Sequence, residues 1–247
     1  VSNPITPPTA IRTFLGYRNA ALDVARYREE LGRTFMPGTP YMLRPLGLQA
    51  YVAAAIDEAI DPEAPHETAL ICYPSQAVYQ RVRNDSLRGR VYTSIHPGAF
   101  DMVRSRGAFP VRLGPTTPHD ALAVHLRDDA VDWQAGETAV VVVVAQDPAE
   151  HGATFRARCR DALTGLGDAG DQIVAIPRDT CMAVWLHGTR AAPDSAAAAS
   201  HLGATTRVIA TVSCARVVCI DDPPTVAITG SSGFNFIFTR HANSALS

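Results

Sequence analysis

The chain has 247 residues, 47% of them apolar and 19% charged, which supplies a sizeable core and excludes a disordered chain. Its 22 basic and 24 acidic side chains leave a net charge of -2, so neither nucleic acid nor an anionic membrane has an electrostatic reason to bind. There is no lysine. That excludes Schiff-base chemistry, lysine-held pyridoxal phosphate and a P-loop, and the arginine bias reads as that of a GC-rich, bacterial genome.

Residues 1–10 hold three prolines and read as an extended arm, without the basic and apolar regions of a signal peptide. Ile11 to Tyr17 reads as a strand. Ala20 to Phe35 reads as a helix, with Val24, Tyr27, Leu31 and Phe35 on one face, and Met36-Pro-Gly-Thr-Pro40 is expected to stop it. Leu48 to Ile56 reads as a second strand, although its alanines also suit a helix. An acidic turn over Asp57 to His66 leads to a third strand, Thr68 to Tyr73, and Pro74 or Ser75 begins a second helix that runs to Arg83. Tyr92 to Asp101 reads as a turn around His96-Pro97-Gly98, and Phe109 to Leu113 as a fourth strand. Residues 114–136 form a connection.

The second half opens on Thr138 to Ala145, an unbroken apolar run expected to be a strand buried on both faces. Pro148 to Leu163 reads as a helix with Phe155, Cys159 and Leu163 on one side. Asp171 to Ile176 and Cys181 to Leu186 are strands joined by a short hairpin-like link. Asp194 to His201 is a short helix, and Thr206 to Thr211 a fourth strand. Val217–Ile220, Thr225–Thr229 and Phe234–Thr239 add late strands or a tail. Five cysteines, an odd number without a C-x-x-C pair, read as reduced and mostly buried thiols of a cytoplasmic protein, with Cys214 and Cys219 on opposite faces of one strand. No apolar run is long enough to span a membrane.

The order β-α-β-β-α-β thus occurs twice, which predicts an α+β chain of two tandem ferredoxin-like units, 11–113 and 137–247, packed as a pseudo-dimeric α/β barrel. Over residues 11–212 this order resembles the dimeric α/β-barrel group. That group includes antibiotic-biosynthesis monooxygenase-type and EthD-like proteins and, as fused double units, chlorite dismutase-like haem proteins and aldoxime dehydratases. The resemblance implies a pocket between sheet and helices for a small, often aromatic molecule or a haem.

The window Tyr92 to Asp101 holds the densest set of groups able to move protons. His96 is the candidate acid/base, Asp101 the carboxylate that would orient its ring, and Tyr92 an added phenol donor. The bland alternative is a histidine that caps a turn. Tyr51, Tyr73 and Tyr79 are candidates to line an apolar pocket with hydroxyl tips, Trp185 joins them, and Tyr41 and Arg44 would hold a carboxylate or enolate. If a haem is bound, the resemblance implies a second-half histidine as axial ligand: His187, or else His201 or His151.

No G-x-S-x-G, H-E-x-x-H or strand-borne G-x-G-x-x-G is present, so a hydrolase elbow, a zincin site and a dinucleotide fingerprint are not expected. The expected function is a small-molecule enzyme of secondary metabolism or catabolism. It would work without a cofactor, by acid/base (cyclase or isomerase) chemistry or by oxygenation of a mainly apolar or aromatic substrate. A haem enzyme and a non-catalytic binding module are the alternatives. The expected partner is a small molecule, with a homo-oligomer open.

Overall fold

The computed structural model describes residues 10–57, 61–118, 120–128 and 131–238. The expected N-terminal arm, apart from Ala10, and Thr239 of the last expected strand lie outside the described residues.

The first half begins with β1, Ala10–Gly16, whose side chains alternate across the sheet. Ile11, Thr13 and Leu15 point one way, and Arg12 and Phe14 the other. The helix that follows does not stop at Met36. It runs as α1 (Val24–Glu30), a π-helical segment (Leu31–Phe35) and α2 (Met36–Leu43). The Met36 N–H bonds to the Leu31 carbonyl, one residue further back than in an α-helix. Pro37 sits in the first turn after this widened stretch, where a missing N–H is tolerated, and Pro40 lies within the second helix.

β2 (Ala50–Ala55) and β3 (Glu67–Tyr73) pair antiparallel, and β3 pairs antiparallel with β1. The alanines of β2 form a strand because every residue of it is buried, with sheet neighbours on both edges. α3 (Gln76–Asn84) starts where Ser75 accepts the Val78 N–H, and α4 (Leu87–Ala99) where Ser86 accepts that of Gly89. The expected turn at His96 is therefore the last turn of a helix. The carbonyls of this last turn are capped from outside the helix. Asn19 donates its side-chain amide to the Pro97 carbonyl (2.8 Å) and its backbone N–H to that of Ala99 (2.8 Å).

The fourth strand of this half is β4, Arg106–Ala108, and not Phe109–Leu113. Pro110 cannot donate to a ladder, and after it Val111–Arg112 (β5) pairs instead with β6 (Val124–Asp128) at the far edge of the sheet.

The second half repeats the order with β7 (Glu137–Val144), α5 (Ala153–Leu163), β8 (Gln172–Pro177), β9 (Cys181–Gly188), α6 (Ser195–Gly203) and β10 (Arg207–Cys219). The last strand, β11 (Ser232–Phe238), runs parallel to β10 and antiparallel to β2, so it zips the two halves into one sheet of order β4-β1-β3-β2-β11-β10-β7-β9-β8-β6-β5.

The sheet curls into a half-barrel and folds its inner face onto itself. Leu15, Val52 and Leu70 of the first half share one core with Val142, Val174 and Trp185 of the second. The outer faces carry the helices in two further cores, one per half. The valines of β7 therefore divide between the inner core (140, 142, 144) and the helix-facing core (141, 143). Cys214 and Cys219 divide in the same way, and all five cysteines are buried thiols not joined in disulfides. Polar ties also cross between the halves: Arg207 pairs with Asp61, and the Tyr17 hydroxyl lies 3.3 Å from the Cys181 sulfur. No described helix is long and apolar enough to cross a membrane.

Candidate functional site

In the second half the helix-facing core includes Phe155, Leu163, Leu186 and Leu202, all fully buried. In the first half the helices stand off the sheet and leave a cavity of about 110 Å3. That is near the size of the roughly 150 Å3 space that admits benzene. Its floor is the outer face of β1 and β3, with Arg12 and Phe14 on one and Glu67, Ala69, Ile71 and Tyr73 on the other, and Tyr51 of β2 beside them. Its roof comes from Phe35, Thr39 and Leu43 on the π-helical segment and α2, Tyr79, Val82 and Arg83 on α3, and Gly89, Tyr92, Thr93 and His96 on α4. Gly89 is required by the close crossing of α3 and α4: a Cβ there would lie 1.9 Å from the Val82 carbonyl oxygen.

Five of the sequence candidates meet here: His96, Tyr92, Tyr51, Tyr73 and Tyr79. The His96 ring packs edge-on against Tyr92 (4.6 Å between centres), Phe35 (5.7 Å) and Phe14 (6.3 Å). Its Nδ1 lies 2.7 Å from the Tyr92 carbonyl. A carbonyl only accepts, so Nδ1 carries the proton and Nε2 carries the free lone pair. Nε2 is not a buried unpaired atom, so it remains accessible. Burial, assisted by the charges of Arg83 and Arg12 against the opposing backbone hydrogen bonds, lowers the pKa of the ring and keeps it neutral.

Two groups that the sequence reading passed over complete the site. Glu67 is only 3% exposed, and burial pushes its carboxyl up to about 7, against the Tyr51 hydroxyl that donates to it at 3.2 Å. Its second oxygen is not a buried unpaired atom, so the carboxyl keeps an open side. The other is Thr39, which donates to the Phe35 carbonyl (2.9 Å) and therefore accepts from the Tyr92 hydroxyl (2.5 Å). The Tyr92 proton is thus committed to Thr39, and Tyr92 acts on His96 through its backbone carbonyl.

The remaining candidates lie elsewhere. Asp101 is not the orienter of His96. Its carboxylate accepts from the backbone N–H groups of Val103 (2.8 Å) and Arg104 (3.1 Å), bonds that lower its pKa, so it stabilises the turn after α4. Arg44 and Tyr41 line a separate cleft beside Phe238, with the Arg44 guanidinium over that ring at 5.2 Å. Trp185 points into the core between the sheet halves.

Among the histidines of the second half, His187 does not fit a haem. His187 has no exposed surface, its Nδ1 is 2.8 Å from the Thr138 hydroxyl, and the Trp133 ring stacks on it at 4.6 Å, so a porphyrin has no access. The Nε2 of His201 is 2.8 Å from the Ala162 carbonyl. His151 stands at the end of the short 3-10 turn Pro148–Glu150.

No protein-family model matches the sequence, and no curated protein matches it. Among solved structures the chain is similar to a candidate monooxygenase from Fusobacterium nucleatum subsp. nucleatum, at 10% identity over 84% of this chain and 95% of that one, with a TM-score of 0.38. It is similar to an anthrone oxidase-like protein at 10% identity, over 83% and 92% of the two chains, with a TM-score of 0.36. A third likeness is to a candidate monooxygenase from Lactobacillus acidophilus, at 8% identity over 83% and 94%, with a TM-score of 0.31.

Proposed function

We propose that the cavity above β1 and β3 is the active site of a cofactor-free enzyme that moves a proton on a small, mainly apolar ring substrate. The observation that carries this reading is the pairing, in one aromatic-walled cavity, of a neutral imidazole with a free lone pair and a carboxyl held near neutrality. Two groups whose surroundings push them into opposite protonation states are what acid/base catalysis at neutral pH needs.

In this reading the Nε2 of His96 takes a proton from an acidic C–H or O–H of the substrate. The protonated carboxyl of Glu67 gives one to the resulting delocalised anion at another atom, or to its oxygen. Tyr51 holds the Glu67 carboxyl, and the Tyr92 carbonyl stabilises the imidazolium while it lasts. The apolar walls strengthen these few polar contacts by excluding water. Isomerisation or ring closure follows directly from such a transfer, and the same deprotonated ring is the species that cofactor-free oxygenation requires. As to architecture, we read the two halves as ferredoxin-like units forming a pseudo-dimeric barrel. The matching strand orders β4-β1-β3-β2 and β10-β7-β9-β8 support this.

The test is solvent-proton exchange. The protein is incubated in D2O with a panel of small phenols and cyclic ketones, deuterium incorporation is followed by NMR, and dissolved oxygen is recorded alongside. Catalysed exchange is expected, reduced by roughly 100-fold or more in His96→Gln and in Glu67→Gln. The rate should fall in acid as His96 is protonated and fall again above about 7 as Glu67 ionises. Exchange that survives both substitutions would sink the reading.

A further inference from the structure

One end of the cavity is not used by the proton transfer. Arg12 rises from β1 on the helix-facing side and lies across Gly107, where an added Cβ would come within 2.7 Å of its Nη2. Its guanidinium sits 5.1 Å from the ring centre of Tyr79 and 5.8 Å from that of Phe109. No described acidic side chain pairs with it, and none of its nitrogens is closed off from the cavity or solvent. Arg83 lines the same cavity and lies close enough to act on the charge of Arg12. The strand register sets Arg12 opposite Ile71. Tyr73, two residues further on that face of β3, packs its ring on Tyr79 at 5.6 Å. The Tyr73 side chain is 1% exposed, and its hydroxyl is buried without a partner. This end of the cavity therefore gathers donors and positive charge and lacks an acceptor.

The layout along the strands gives that acceptor a direction. From the Arg12–Ile71 pair to the Gly16–Glu67 pair is four residues, roughly 13 Å of strand. Phe14 lies between, with the His96 ring against it. A molecule of one ring seated on Arg12 would reach the His96 level.

We propose that the substrate of this site is a single-ring compound carrying an acidic oxygen, a carboxylate or phenolate, which seats on the Arg12 guanidinium. The seat holds the anionic end at the opposite end of the cavity from the buried Glu67 carboxyl and presents the far side of the ring to His96. Guanidinium matches a carboxylate in two-pronged geometry, and the flanking Tyr79 and Phe109 rings keep it in plane. The assignment of what lies at the far end rests on the proton-transfer reading, whereas the anion seat itself does not.

Binding of benzoate and of benzamide, which share a shape and differ in charge, tests it by titration calorimetry. Benzoate is expected to bind the wild-type protein roughly 10-fold to 100-fold more tightly than benzamide. In Arg12→Gln that preference should vanish, and in Arg12→Lys, which keeps the charge and loses the fork, it should be intermediate. The lysine variant decides where the glutamine variant does not fold. Equal affinities for the two probes, no benzoate binding at millimolar concentration, or a preference untouched by both substitutions each overturn the proposal. Binding needs no turnover. Retained benzoate preference with no catalysed deuterium exchange refutes the proton-transfer reading alone, and the reverse result refutes the anion seat alone.

Discussion

Replacing Glu67 by glutamine is expected to stabilise the protein in alkali, and the size of the effect follows from the burial of one carboxyl. Burial raises this group from 4.5 to about 7. The folded state therefore holds the proton more tightly than the unfolded state between those two values. The resulting stabilisation is complete below pH 4.5 and is lost as pH rises through about 7. At about 1.36 kcal/mol per pH unit, the gap between the two values amounts to about 3 kcal/mol in the fully ionised limit. Glutamine has the shape of the protonated acid, keeps an acceptor for the Tyr51 hydroxyl and cannot ionise. Urea denaturation of both proteins at intervals from pH 5 to 8.5 measures the difference. Near pH 5 the two should agree within about 1 kcal/mol, the scale of one altered hydrogen bond. By pH 8.5 the variant should be the more stable by about 2–3 kcal/mol. His96 has a lowered pKa and loses stability in the opposite direction, toward acid, but it is present in both proteins and cancels in the comparison. Parallel stability curves over the whole range would refute the reasoning, because they would mean that the Glu67 carboxyl is as well solvated folded as unfolded.

Two further substitutions probe how the cavity is held open. Gly89→Ala places a methyl group against the Val82 carbonyl at the crossing of α3 and α4, and is expected to cost about 1–3 kcal/mol in urea denaturation. Phe236→Ala removes a fully buried ring of β11 that stacks on Tyr51 at 5.3 Å. It should cost about 3–5 kcal/mol and, by loosening Tyr51, shift the pH dependence of stability assigned to Glu67.

Much of the chain's local order was legible, because strand alternation and long apolar runs register burial directly. The valines at 140–144, the face formed by Phe155, Cys159 and Leu163, and the opposed Cys214 and Cys219 all behave as their spacing implies. The misreadings share one cause, which is that a local stop signal can be overruled by a partner remote in sequence. Pro37 and Pro40 did not end a helix because a π-helical turn absorbed the defect. Pro97-Gly98 did not make a turn because Asn19 capped the helix there. The strand expected over Phe109–Leu113 did not pair with β1, because Arg106–Ala108 took that edge and Val111–Arg112 paired with β6.

The same division runs through the site. The aromatic hydroxyls at 51, 73, 79 and 92, together with His96, could be gathered from sequence, because such groups on strands and helices that flank one layer tend to share it. Glu67 fell between the acidic turn ending at His66 and the strand expected from Thr68, although it is the first residue of β3 and shares a face with Ala69, Ile71 and Tyr73. A lone carboxylate in phase with an apolar strand face was the signal available. Nothing local marked Arg12 or Thr39. Nor did anything local show that Asp101 would be used by its own turn, or that Trp185 would face the inner core. The sequence by itself determined most of the strands and helices and which residues are apolar enough to be buried, since those depend on period and composition over a few residues. Only the tertiary structure decided which sheet face became the cavity, and with it the charge states of Glu67 and His96. Desolvation is produced by neighbours from β1, β2, β3 and the helices above them, and no window of the chain contains them all.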